Sequence, residues 1–256
     1  MRGGVDLVEG DLVVSGRVMS ASNATFVGAI GGVQVAYKPV TGERPLWDFP
    51  DGNLASREIA AYLVSESFGW NVVPHTWWRD GPAGSGMVQR WQEPDTEQHP
   101  IDIVPHGQMP DSGWCHVFDG LDGRNRPVSL IHEDSAQLRH MAVFDVVTNN
   151  ADRKGGHVLA MPDGHRHGID HGLTFHPDPK LRTVLWGWVG ESLHTSELEG
   201  VERVRSDLAG DLGEALGSLL QPSEIAATVS RCESLLRAQR FPAPHGQMPA
   251  VPWPPF

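Results

Sequence analysis

The stretch "NNADRKGGHVL" (149–159) brings the Asp152 carboxylate, the cations Arg153 and Lys154, a glycine pair and the His157 imidazole together between two asparagines and an apolar run. The step that carries chemical information is D-x4-H. Phosphoryl transfer needs a cation on the nucleotide phosphates, a partner fixing that cation, a carboxylate orienting the attacking hydroxyl, and metal ligands. In the pattern H-R-D-x-x-x-x-N the same step separates a catalytic Asp from a metal-binding Asn. Here Asp152 and His157 hold those two places. Upstream, Lys38 ends "VAYK" and Glu58 follows on the next helical stretch, the order in which a strand lysine can pair with a helix glutamate. Downstream, Asp170 stands in "GIDHG", where the pattern D-F-G places the carboxylate that holds Mg²⁺. Taken singly, Lys38 reads as a solvated strand end, Glu58 as a helix-surface charge and Asp170-His171-Gly172 as a turn. Their joint order along the chain is the argument for a site.

These residues require particular elements to position them. "DLVVSGRVMS" (11–20), "ATFVGAI" (24–30) and "VQVAYK" (33–38) read as antiparallel strands, the last two linked by Gly31-Gly32 in a tight hairpin. The small polar link "SASNA" (20–24), with Ser22 and Asn23, suits either a close phosphate approach or an ordinary hairpin loop. "LASREIAAYLVSESFG" (54–69) has apolar residues at 59, 60, 63, 64 and 68 before Gly69, the pattern of one amphipathic helix. "VVPHTWW" (72–78) and "GMVQRW" (86–91) add two strands, for a five-stranded sheet with one helix. Residues 92–133 are punctuated by Pro, Gly and Asp and are expected to be loop-rich. A helix is expected over 134–150, a strand pair at 157–161 and 165–170, helices within 197–239, and an extended Pro-rich tail over 241–256.

Composition narrows the function classes. The 256-residue chain has 39% apolar content, no apolar run of membrane-spanning length and no signal-peptide profile at "MRGGVDLVEG", so it is read as cytoplasmic. A net charge of −12 disfavours nucleic acid and anionic bilayers as partners. Cys115 and Cys232 have no metal-ligand spacing and are expected to be thiols. His165, His167, His171 and His176 crowd Asp170 and raise the rival of a zinc hydrolase, but their spacing fixes no closed ligand set and leaves Lys38 and Glu58 without a role. Trp186, Trp188 and His194 suit core packing or cleft lining. The hexapeptide "PHGQMP" occurs at 105–110 and at 244–249 without a wider repeat around either copy.

At the same residues the chain resembles a family. "SREIAAYLVSESFGWNVVPHT" resembles the R-E-x-A-A-Y…G…V-P-x-T segment of bacterial phosphatidylinositol 3- and 4-kinase-like proteins. "NNADRKGGHVL" with "GIDHGLTFHP" resembles the type II phosphatidylinositol 4-kinase pattern N-x-D-R-x-x-x-N-x-L…I-D-x-G-L-x-F-P. More distantly, the chain is similar to the HipA-like toxin kinases. The resemblance spans about residues 11–190.

It implies an α+β, two-lobed protein-kinase-like fold: a β-rich lobe over 1–91, a mainly helical lobe over 92–240, and the tail 241–256. It also implies ATP in the cleft. Lys38 would contact the phosphates and be held by Glu58, and Ser22 and Asn23 would lie in the phosphate loop. The segment from Met87 through Gln89 to Trp91 would bind adenine through its backbone. Asp152 would be the base or orienting carboxylate, Lys154 would neutralise transition-state charge, and Asp170 would be the principal ligand of Mg²⁺ or Mn²⁺. His157, in place of Asn, points to altered metal preference or weakened catalysis, since Mn²⁺ accepts nitrogen more readily than Mg²⁺ does. The expected activity is transfer of phosphate from ATP to a Ser or Thr hydroxyl of a protein, this chain included. The alternatives are a nucleotide-binding pseudokinase and a phosphoinositide kinase.

Overall fold

The computed structural model describes residues 9–19, 23–44, 46, 49, 53–245 and 249–256. The amino-terminal part is built on a meander of β1 (Leu12–Arg17), β2 (Phe26–Ile30) and β3 (Val33–Pro39). β2 and β3 pair from Ile30↔Val33 across Gly31 and Gly32, whose φ values of 55° and 84° match the left-handed backbone such a link demands. Helix α1 (Leu54–Phe68) begins where the Asn53 side chain accepts the Ser56 N–H at 2.7 Å and ends on Gly69 at φ 69°. β4 (Thr76–Gly81) and β5 (Gly84–Arg90) complete an antiparallel sheet of order β1-β2-β3-β5-β4. Leu12, Ile30, Val35, Tyr37, Trp77 and Val88 pack on one side of it. Met87 meets Ala55 and Ile59 of α1 on the other.

The strand expected to begin at Val72 starts at Thr76. Pro74 can donate no ladder hydrogen bond, and Val72 and Val73 are buried instead in the larger core, with the Val73 N–H given to Ser65 Oγ at 3.0 Å.

Residues 92–133 correct the loop-rich expectation. β6 (Ile101–Pro105), β7 (Trp114–Leu121) and β8 (Pro127–Glu133) form a three-stranded antiparallel sheet with β8 in the centre. Much of β6 and β7 faces solvent, so their apolar residues are interrupted by His, Asp and Gly and show weak alternation. Helix α2 (Ala136–Thr148) follows, capped by Ser135 and terminated by Asn149 at φ 53°. The hairpin β9 (Val158–Ala160) and β10 (Arg166–Gly168) leads into Asp170, and α3 (Thr195–Asp207), α4 (Asp211–Gly217) and α5 (Pro222–Ala238) close the helical part.

The main core joins Val64 and Phe68 of α1 to Met141 and Phe144 of α2, Val204 of α3, Leu216 of α4 and Leu235 of α5. The architecture is α+β, a β-rich amino-terminal lobe followed by a mainly helical lobe, as expected from the sequence. No helix among the described residues is long and apolar enough to cross a membrane.

Candidate active site

Alternation along β3 turns Val35 and Tyr37 into the sheet core and Lys38 to the opposite side, toward α1. There Lys38 Nζ donates to Glu58 Oε1 at 2.7 Å and also to Asp170 Oδ1. Burial alone would lower the Lys38 pKa, but the Asp170 and Glu58 charges outweigh it and hold the ammonium above its ordinary value. Lys38 in turn keeps the Asp170 carboxyl well below the usual carboxylate range. The second oxygen of buried Glu58 accepts the backbone N–H of His171 at 2.9 Å. One carboxylate therefore fixes both the strand lysine and the loop that follows β10. Asp170 itself sits at φ 59°, a left-handed position that Asp tolerates better than most residues.

The opening stretch is not a solvated turn. Asn149 donates to the carbonyls of His176 and Asp178, both at 2.7 Å, and Asn150 ties Asp145 to the Asp152 N–H. Arg153 is fully buried and joins three segments. Its guanidinium pairs with Asp145 of α2, donates to the His157 and Ile169 carbonyls at 3.3 and 3.2 Å, and reaches His171 Nε2 at 2.7 Å. With its interior alternates thus anchored, the loop presents Asp152 and Lys154 to the cleft, their charged ends 3.4 Å apart.

His157 lies between them and Asp170. Its Nδ1 donates to the Asp152 carbonyl at 2.8 Å, which leaves the Nε2 lone pair 3.5 Å from Asp170 Oδ2. Burial pushes the imidazole pKa down and favours this neutral form. An imidazole lone pair and a carboxylate oxygen facing one another form a paired donor set for a cation.

The resulting cleft of ≈ 390 Å³ gathers Lys38, Glu58, Asp152, Lys154, His157 and Asp170. Asn23 also lines it, bonded through Oδ1 to the Arg44 N–H at 3.0 Å; Ser22 lies outside the described residues. Two lining residues went unread in the sequence. Glu43 accepts the N–H groups of Leu54 and Ala55 at 2.8 Å, placing a carboxylate on the α1 N-terminus, and Arg44 stands beside it. Neither belongs to a recognisable spacing, because both are brought in from the connection between β3 and α1.

The structure does not bring Met87, Gln89 or Trp91 to this cleft. β5 is a central strand, paired to β3 on one edge and β4 on the other, so the main-chain groups of 87–90 are engaged in ladders. The Met87 side chain is buried against α1, the Gln89 amide donates to Thr76 Oγ1 at 2.8 Å, and the Trp91 N–H goes to Gln34 O.

The histidines of the zinc alternative form no common ligand set, although the His165 and His167 rings touch with centroids 4.4 Å apart. His165 Nε2 contacts the Asn71 carbonyl, His171 is held by Arg153, and His176 accepts the Asp178 N–H. Among the described residues no group of three or more His, Cys, Asp or Glu side chains is placed to hold a metal ion. Trp188 is a core residue, Trp186 binds the tail through its indole N–H, and His194 caps α3.

No family model matches the chain. The crystal structure of a Helicobacter pylori proinflammatory kinase, CtkA, aligns over 90% of this chain and 93% of that one, with a TM-score of 0.47 and 10% identity. Protein Rv2133c of Mycobacterium tuberculosis is 49% identical over 263 residues, which cover 98% of this chain and 94% of that protein, and the chain belongs to its family.

Proposed function

We propose that this chain is an ATP- and divalent-metal-dependent phosphotransferase acting on a polypeptide hydroxyl. One observation carries the reading: Lys38 is bracketed by Glu58 and Asp170 on the wall of the same cleft that holds Asp152, Lys154 and His157. A cation fixed by carboxylates on two different elements is preorganised for phosphate oxygens without side-chain rearrangement.

In this reading Lys38 orients the nucleotide phosphates, and Asp152 aligns the acceptor hydroxyl and takes its proton. The hydroxyl oxygen bonds to the γ-phosphorus as the bond to the β-phosphate oxygen breaks, and Lys154 offsets the charge on the transferring group. Asp170 and the Nε2 of His157 would hold the metal, which neutralises phosphate charge when bound. Nucleobase contacts are not assigned to Met87 or Gln89, whose main chain is paired on both edges of β5, nor to Trp91, whose N–H is given to Gln34 O.

The test is incubation with γ-labelled ATP and either Mg²⁺ or Mn²⁺, with calorimetry on the same protein. Labelled phosphate on the chain or on an unfolded acceptor protein, dependent on metal, is expected. Absence of both nucleotide binding and transfer removes the reading. A second reading, a nucleotide-binding module without turnover, is favoured by the imidazole standing where the phosphotransferase pattern has an amide oxygen; binding without transfer in the same assay selects it.

A further inference from the structure

The segment 249–256, "PAVPWPPF", returns from beyond α5 to lie beside the loop that carries Asp152 and Lys154. Its carbonyls accept from two main-chain N–H groups and from the side chains of Arg182 and Trp186. The strip 182–184 pairs on one side with the loop: the Arg153 N–H donates to Arg182 O at 3.0 Å and the Val184 N–H to Arg153 O at 3.1 Å. On the other side the Thr183 N–H donates to Ala250 O at 3.0 Å, and the same carbonyl takes the Trp186 indole N–H at 2.8 Å. Arg182 Nε reaches Pro249 O at 3.1 Å.

Further along, the Gly155 N–H donates to Pro255 O at 2.8 Å. The Phe256 ring then lies so close over Gly155 that a Cβ at that position would sit 2.3 Å from a ring carbon. Pro252 and Pro255 are buried, whereas Trp253 is 73% exposed.

Extended peptides are held on enzymes and adaptors by main-chain pairing to a strip of this kind, with side chains setting register. Gly155 follows Lys154 directly, which places its amide next to the stretch that lends Asp152 and Lys154 to the cleft. That amide and the outward N–H of Thr183 are already taken. The occupying segment contains no Ser, Thr or Tyr.

We propose that residues 249–256 fill the acceptor groove as an internal, hydroxyl-free stand-in for a polypeptide substrate, and that an extended, hydroxyl-bearing segment of a partner protein displaces them to be phosphorylated. The inference rests on the phosphotransferase reading of the adjoining cleft. It also explains why Gly155 has no side chain: any Cβ collides with the occupant.

The experiment compares the full chain, a chain lacking 249–256, and Phe256→Ala in two independent assays. The first is the rise in Tm on adding ATP with Mn²⁺. The second is fluorescence anisotropy of a labelled "PAVPWPPF" peptide, with dephosphorylated casein as an unfolded, serine-bearing competitor. All three proteins are expected to keep the nucleotide-dependent Tm rise. The peptide is expected to bind the tail-less chain at least about tenfold more tightly than the full chain, because the internal occupant no longer competes, and casein is expected to displace it.

If the tail-less chain shows no cooperative unfolding, Phe256→Ala decides. Hydrogen exchange at the Gly155 amide should then quicken at least about tenfold relative to the full chain. Equal peptide binding by full and tail-less chains, failure of casein to compete, or unchanged Gly155 exchange in Phe256→Ala overturns the proposal. Loss of the nucleotide effect in all three proteins overturns the acceptor role through the reading beneath it, even where the peptide still binds.

Discussion

Arg153 and Asp145, both fully withdrawn from solvent, meet at 2.8 Å between the loop that carries Asp152 and the body of α2. The pair holds the loop of Asp152 and Lys154 onto the helical core, and Asn150 and Thr183 also reach the same carboxylate. Removing one member leaves the other charged, buried and without its principal partner, which typically costs about 3–5 kcal/mol. Arg153→Met is therefore expected to lower the urea midpoint severely. The double variant Arg153→Met with Asp145→Leu should recover part of that loss, as read from equilibrium unfolding.

Lys38→Ala removes the cation that Glu58 and Asp170 share. The two carboxylates then face the cleft with no positive charge between them, and phosphate binding loses its fixed counter-charge. Any phosphotransfer should fall at least about a hundredfold, the scale on which preorganised electrostatic groups act. The rise in Tm on adding ATP with Mn²⁺ should disappear, measured by differential scanning fluorimetry alongside the unliganded protein.

His157→Asn exchanges the imidazole nitrogen that faces Asp170 for an amide oxygen. Mg²⁺ prefers oxygen donors and Mn²⁺ tolerates nitrogen. The ratio of initial rates in Mg²⁺ to those in Mn²⁺ is expected to rise in the variant. An unchanged ratio would mean that His157 does not ligate and acts only through its hydrogen bond to the Asp152 carbonyl.

His167 supplies a pH dependence away from the cleft. Burial, reinforced by the neighbouring His165, pushes its imidazole down to about 4, although Asp163 acts in the opposite sense. The native state therefore keeps His167 neutral where the unfolded chain, titrating near its ordinary value of about 6.5, takes up a proton. Its contribution to stability is complete above the unfolded value and is lost as pH falls from about 6.5 toward 4, a change of order 1–3 kcal/mol. The urea midpoint should drop across that window, and His167→Gln should flatten the drop, with unfolding curves at pH 7 and pH 5 as the measurement.

Much of the site can be read from the chain because its logic is local or ordinal. D-x4-H is a spacing within one loop, Gly69 ends α1 by capping chemistry, and Lys38 precedes Glu58 in the order that lets a strand end face the next helix. Such features depend on neighbours a few residues away or on the succession of elements, so residue types suffice to expect them. What tertiary structure alone decides is which groups remain available once strands and loops have paired. β5 becomes central, and its main chain, with Met87 and Gln89, is consumed by the sheet and by α1. The half-exposed strands β6 and β7 lack a strong alternating pattern, yet find pairing partners in β8. Glu43 reaches the α1 N-terminus, and residues 249–256 reach Gly155, across separations that no local pattern encodes. The physical reason is that backbone polar groups must be satisfied wherever they are buried, and the partner that satisfies them is chosen by the fold as a whole.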